Sequence, residues 1–171
     1  EVMGISDSFG SAFAKSQLAA SNGLPLEGVV LITVTDSDKP TVTPIARRFH
    51  EMGFRVVATA GTAAYLRGRG IPATRIFKVH EGRPNCLDMI VNRDAQLLIN
   101  TPLGKHAQLD DYLLRQAAIV HRVSYTTTMS AADAASYAIS SLRSRPPTVR
   151  SLQEWHAMLA ESRADSSQVP A

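Results

Sequence analysis

The run Val29-Val30-Leu31-Ile32-Thr33-Val34 constrains this chain more than any other feature. A half-buried strand alternates apolar with polar residues, whereas this segment is continuously apolar and too short for a helix of ordinary length. Such a strand must be covered on both faces, as the strands of a parallel sheet are. Further strand-like runs follow it: Arg55-Val56-Val57-Ala58-Thr59, Arg75-Ile76-Phe77, Gln96-Leu97-Leu98-Ile99 and Arg122-Val123-Ser124-Tyr125. Helical patterns lie between them. Val42, Ile45, Ala46 and Phe49 recur at helical spacing up to Gly53, a short helix runs from Thr62 to Gly70, and residues 110–120 form another. This alternation predicts an α/β fold, a three-layer sandwich in which a parallel sheet of about five strands carries helices on both faces.

The flanks read as helices. Residues 8–20 are rich in alanine, with Phe9 and Phe13 one turn apart, and Ser21-Asn22-Gly23-Leu24-Pro25 stops them. Ser130 with Asp133, and Ser151 with Glu154, have the spacing of capping boxes at the start of the last two helices. Pro146-Pro147 separates those helices, and residues 163–171 read as a frayed tail.

Composition removes several function classes. No run of about 18 apolar residues is present, so no membrane-spanning segment is predicted. The opening Glu1-Val2-Met3-Gly4 has neither the basic nor the apolar region of a signal peptide, and reads as a processed start or a point inside a longer chain. Cys86 is the only cysteine, which leaves no internal disulfide and too few thiols for a zinc site; a cytoplasmic location fits. Net charge is +3, but the arginines are scattered and aromatics make up only 6%, which argues against a nucleic-acid partner. Small anions remain as ligands.

Ligands of parallel sheets bind outside the carboxyl ends of the strands. Four such ends carry polar residues: Asp36-Ser37-Asp38-Lys39, Thr59-Ala60-Gly61-Thr62, Lys78-Val79-His80-Glu81-Gly82-Arg83-Pro84 and Asn100-Thr101-Pro102. Gly61 allows close backbone approach, and Thr62 is expected where a helix begins, so the free N–H groups and dipole of that helix make a phosphate site. Lys39 and Lys78 would add charge, and Asn100 offers both a donor and an acceptor. Read by themselves, the Thr-Ala-Gly-Thr turn also serves as a plain strand-to-helix joint. Asp88, Asp110 and Asp111 read as surface or capping carboxylates, His80 as a loop histidine, and Cys86 as an inert thiol of a core helix.

The same strand-end motifs carry a resemblance. Ala58-Thr59-Ala60-Gly61-Thr62, the specific run Lys78-Val79-His80-Glu81-Gly82-Arg83-Pro84, Ile99-Asn100-Thr101, Phe13-Ala14-Lys15-Ser16-Gln17 and Gln153-Glu154-Trp155-His156 occur in the order found in one family. The chain resembles the C-terminal, methylglyoxal-synthase-like regulatory domain of carbamoyl phosphate synthetase large subunits. The resemblance implies that residues 1–23 are the C-terminal edge of a preceding ATP-grasp domain and that residues 24–162 form the regulatory domain. It implies allosteric binding of UMP or IMP, with Lys39, Thr59, Gly61, Thr62 and Lys78 at the phosphate and Asn100 and Thr101 on the nucleoside side. Tyr125 and Thr127 match part of an ornithine site. The domain itself would need no cofactor and catalyse nothing. The parent would be an ATP-dependent ligase using Mg2+ or Mn2+, fed by a glutaminase small subunit and serving pyrimidine and arginine biosynthesis. The rest of the large subunit and further copies of it would be partners. Two departures stand out: Pro102 and Thr126 replace a threonine and an aspartate of the enterobacterial pattern.

Two other readings share the fold. A methylglyoxal synthase would need a carboxylate base beside its phosphate cradle, and Arg83 stands where that family has an aspartate. A purely structural or oligomerisation module would need none of the polar strand ends. The Lys-x-Leu-His-Pro stretch of inosinate cyclohydrolases is not found.

Overall fold

The computed structural model describes residues 2–101 and 104–166. Five strands, β1 (Val29–Thr33), β2 (Arg55–Thr59), β3 (Thr74–Ile76), β4 (Leu97–Asn100) and β5 (Ser124–Thr126), form one sheet in the order β3-β2-β1-β4-β5. Every pairing is parallel. Helices α1 (Phe9–Ala19), α2 (Lys39–Glu51), α3 (Ala60–Arg67), α4 (Cys86–Val91), α5 (Gly104–His121), α6 (Met129–Ser144) and α7 (Leu152–Ser166) connect and flank the strands. No helix among the described residues is long and apolar enough to cross a membrane.

The apolar run is explained by its position. β1 is the central strand, so its successive side chains enter two separate cores. Val30 and Ile32 join Ile45, Phe49 and Leu66 on the face of α2, α3 and α6. Val29 and Leu31 join Ile90, Leu98 and Leu114 on the face of α4 and α5. Phe49 and Phe54 meet edge to face in the first core, with ring centroids 5.3 Å apart.

Most expected elements are present, and the differences sit at their ends. α3 begins at Ala60, so Thr59 is its N-cap and Thr62 already lies inside the first turn. α5 starts at Gly104, well before residue 110. β5 is Ser124–Thr126 rather than residues 122–125. The cap of α6 is Thr128, whose hydroxyl accepts the Ala131 N–H, while Asp133 instead pairs with Arg48 of α2 at 2.8 Å. Thr128 precedes Ser130 by two residues and wins because its extended backbone can turn into the helix. The Ser151–Glu154 box forms as expected: Ser151 N–H donates to Glu154 Oε2 and Glu154 N–H donates to Ser151 Oγ. α4 adds an element between β3 and β4, opened by an Asn85–Asp88 capping box. α7 extends through Ser166, and residues 167–171 lie outside the described residues.

Candidate functional site

The chain runs from β1 to β2 and β3 on one side, then returns to place β4 and β5 on the other side of β1. The connections therefore diverge at the carboxyl ends of β1 and β4, which leaves a crevice there. Thr33 of β1 and Asn100 of β4 are direct register partners at this point. The Thr101 N–H donates to the Thr33 carbonyl, and the Thr35 N–H donates to Thr101 Oγ1 at 3.1 Å. Both ends are thus tied together, and the Thr101 hydroxyl keeps its own proton to donate.

A cavity of about 80 Å³ opens here, lined by Thr33, Thr59, Lys78, Thr101, Asp110 and Asp111 among others. That is room for a phosphate-sized group with a few waters. Thr59 ends β2 and caps α3, yet its side chain makes no capping hydrogen bond. Its hydroxyl is therefore not committed to the helix. The N–H groups of the first turn of α3 have no intrahelical acceptors and point out of the helix end.

Lys39 leans over this helix end. A β-carbon built on Gly61 would come 3.1 Å from Lys39 Nζ. Lys39 opens α2, where a cation opposes the helix dipole. Its ammonium is therefore placed against the local preference of its own helix. Its side chain is 14% exposed, it pairs with Asp36 Oδ1 at 2.7 Å, and it lies 6.0 Å from the centroid of the Tyr65 ring. Lys78 approaches from the β3 end. Its backbone N–H donates to Glu81 Oε2, while its ammonium makes no ion pair among the described residues. The fields of both lysines converge. The Asp36 carboxyl is held below its ordinary range by the hydrogen bond from Lys39, then by the charge of Lys39 and, more weakly, that of Lys78.

The structure places Thr59, Lys78 and Thr101 on the cavity and Lys39 over Gly61 at the α3 N-terminus that Thr59 caps, with Thr62 buried in the first turn of α3. Asn100 is 1% exposed, and neither its amide nitrogen nor its carbonyl oxygen has a hydrogen-bond partner among the described residues. Buried amides are normally satisfied, which makes this side chain a candidate ligand contact. Tyr125 and Thr127 lie apart from the lysines, on and just beyond the edge strand β5. Tyr125 packs on the second core, and the neighbouring Thr126 hydroxyl is buried with no hydrogen-bond partner among the described residues. Pro102 lies outside the described residues.

Several site residues were not singled out from sequence. Thr33 is the one polar residue in the apolar run of β1, which was its visible signal. Asp110 and Asp111 are neither surface nor capping groups: they sit within α5 and line the cavity, because the helix starts several residues earlier than its apolar spacing suggested. His80 Nε2 lies 2.5 Å from Asp110 Oδ1 and ties the loop after β3 to α5. Cys86 lines the cavity at 1% exposure, and burial pushes its thiol up to about 12.

Comparison with known proteins bears on the family and the fold. The chain is 62% identical over 93% of its length to the carbamoyl phosphate synthase large chain of Gemmatimonas aurantiaca, and covers 14% of that protein. It is 47% identical over 91% of its length to the carbamoyl phosphate synthase large chain, C-terminal section, of Methanopyrus kandleri, covering 29% of it. The chain therefore spans well under a third of these relatives. A crystal structure of methylglyoxal synthase from Elizabethkingia anophelis superposes with a TM-score of 0.54 over 64% of this chain and 77% of that one; at 17% identity this speaks for the fold alone. The MGS-like domain pattern matches residues 41–127, and the chain belongs to the MGS-like domain family.

Proposed function

We propose that this domain binds a nucleoside monophosphate and regulates a carbamoyl phosphate synthase large chain. The observation that carries the reading is the convergence of Lys39 and the α3 N-terminus, with Gly61 keeping the space between them open. Lys39, Lys78, Thr59, Gly61 and Thr62 hold the phosphate. Asn100 meets the nucleoside with its unpartnered amide, and Thr101 donates its hydroxyl proton. Asp110 and Asp111 line the same cavity as Lys78 and bring carboxylate oxygens of the kind that accept from hydroxyl or amine donors. UMP and IMP carry a phosphate and such donors on one molecule.

Residues 1–23 lead in from the synthetase half of the parent. That half makes carbamoyl phosphate from bicarbonate, ATP and ammonia with Mg2+ or Mn2+, and a glutaminase subunit supplies the ammonia in the cytoplasm. A nucleotide shifts the parent only if it binds two of its states with different strength. Tyr125 and Thr127, on the edge strand, contribute to an ornithine contact with the rest of the large chain.

Titration calorimetry with UMP and IMP tests the reading, using Lys78→Ala as the control. Loss of a charge-assisted hydrogen bond of roughly 1.5–3 kcal/mol corresponds to a weakening of about 10- to 100-fold. No binding to a folded sample, or a loss under about twofold in Lys78→Ala, counts against it. Asp110 and Asp111 place carboxylates in the same cavity as Lys78, so dihydroxyacetone phosphate turnover is assayed on the same sample. Formation of methylglyoxal would replace the regulatory reading with an enzymatic one.

A further inference from the structure

Resting on that reading of Lys39, we infer that Asp36 is a tethered competitor for the bound phosphate: its carboxylate occupies the Lys39 ammonium in the free domain and must leave before an anion binds. Asp36 Oδ1 is 2.7 Å from Lys39 Nζ, yet the Asp36 side chain is 93% exposed whereas that of Lys39 is 14% exposed. The lysine is held in place and the carboxylate is free to swing. Asp36 opens a short 3-10 turn, Asp36–Asp38, between β1 and α2. Among the described residues, Lys39 is the only ion-pair partner of its carboxylate. The charge of Lys78 also favours the ionised Asp36 carboxyl, more weakly than Lys39 does.

The consequence is a lowered affinity. A phosphate must displace a carboxylate from the same ammonium, so part of its attraction to Lys39 is spent on breaking the existing ion pair.

The test uses UMP and inorganic phosphate on the 171-residue chain and on Asp36→Asn, with Asp38→Asn as control. Asp38 lies in the same turn and carries the same charge, but makes no ion pair with Lys39. Asp36→Asn should bind both anions about two- to fivefold more tightly at low ionic strength, with the gain shrinking at high salt and Asp38→Asn giving less. An unchanged or weaker affinity in Asp36→Asn overturns the inference, as does an equal gain in Asp38→Asn. If the unaltered chain binds UMP and Asp36→Asn binds it no better, only the competitor role falls. If neither protein binds either anion, the nucleotide reading falls with it.

Discussion

The Lys39 ammonium stands where a side chain at residue 61 would begin, 3.1 Å from a β-carbon built on Gly61. Gly61 is exposed, lies in the first turn of α3 and has no positive φ, so its own backbone does not require glycine. Gly61→Ala should therefore stabilise the fold by up to roughly 0.5–1 kcal/mol, the ordinary cost of glycine within a helix. The same methyl group crowds Lys39 and the helix N–H groups, so UMP affinity should drop at least several-fold. Thermal unfolding and calorimetry on one sample check both signs; a variant that is more stable and binds equally well would show that the space above Gly61 is not used.

Asn100 gives the opposite pairing of stability and binding. A buried amide with two unpartnered atoms costs roughly 1–3 kcal/mol for each group left unsatisfied. Asn100→Leu removes both atoms at similar size and should raise the denaturant midpoint of the free domain while weakening nucleotide binding. Loss of stability in this variant would mean that ordered water already satisfies the amide.

Cys86 should be nearly inert while the domain is folded. Its thiol is pushed up to about 12 by burial, against an ordinary value of 9.0. A group raised in the folded state keeps its full contribution to stability below the unfolded value and loses it as the pH rises towards the folded one. Alkaline destabilisation between pH 9.0 and about 12 is therefore expected, and Cys86→Ser should reduce it. Below pH 8, modification by a thiol reagent should occur only at the rate of unfolding.

α1 packs along α6 through a close backbone approach. A β-carbon at Gly10 would meet the Tyr137 carbonyl oxygen and Ser141 Oγ, each at 2.8 Å. The first of these is backbone and cannot swing aside. Gly10→Ala should destabilise the domain by roughly 1–3 kcal/mol despite the better helix propensity of alanine, read from the shift in denaturant midpoint. A neutral result would show that α1 is loosely held and can separate from α6.

Much of the fold was legible from local chemistry. The continuous apolar run of β1 implied cover on both faces, and its side chains do divide between two cores. The Ser151–Glu154 box was readable because both of its bonds lie within one turn. The cap of α6 was misplaced because Asp133 is drawn away by Arg48, a partner on another helix. The start of α5 and the short α4 were missed where helical spacing is weak or brief.

For the site, the sequence by itself determined the parts: a glycine between threonines where a strand turns into a helix, two lysines after other strands, and an asparagine after a fourth. Only the tertiary structure decided which of them meet. The order β3-β2-β1-β4-β5 sets Thr33 beside Asn100 and opens the crevice between diverging connections. It also brings Lys39 over Gly61 and leaves Tyr125 and Thr127 at the far edge. Local periodicity reports which way a side chain faces along its own element. It carries no information on which strand lies next to which, because that choice is made by the packing of whole helices on the two faces of the sheet.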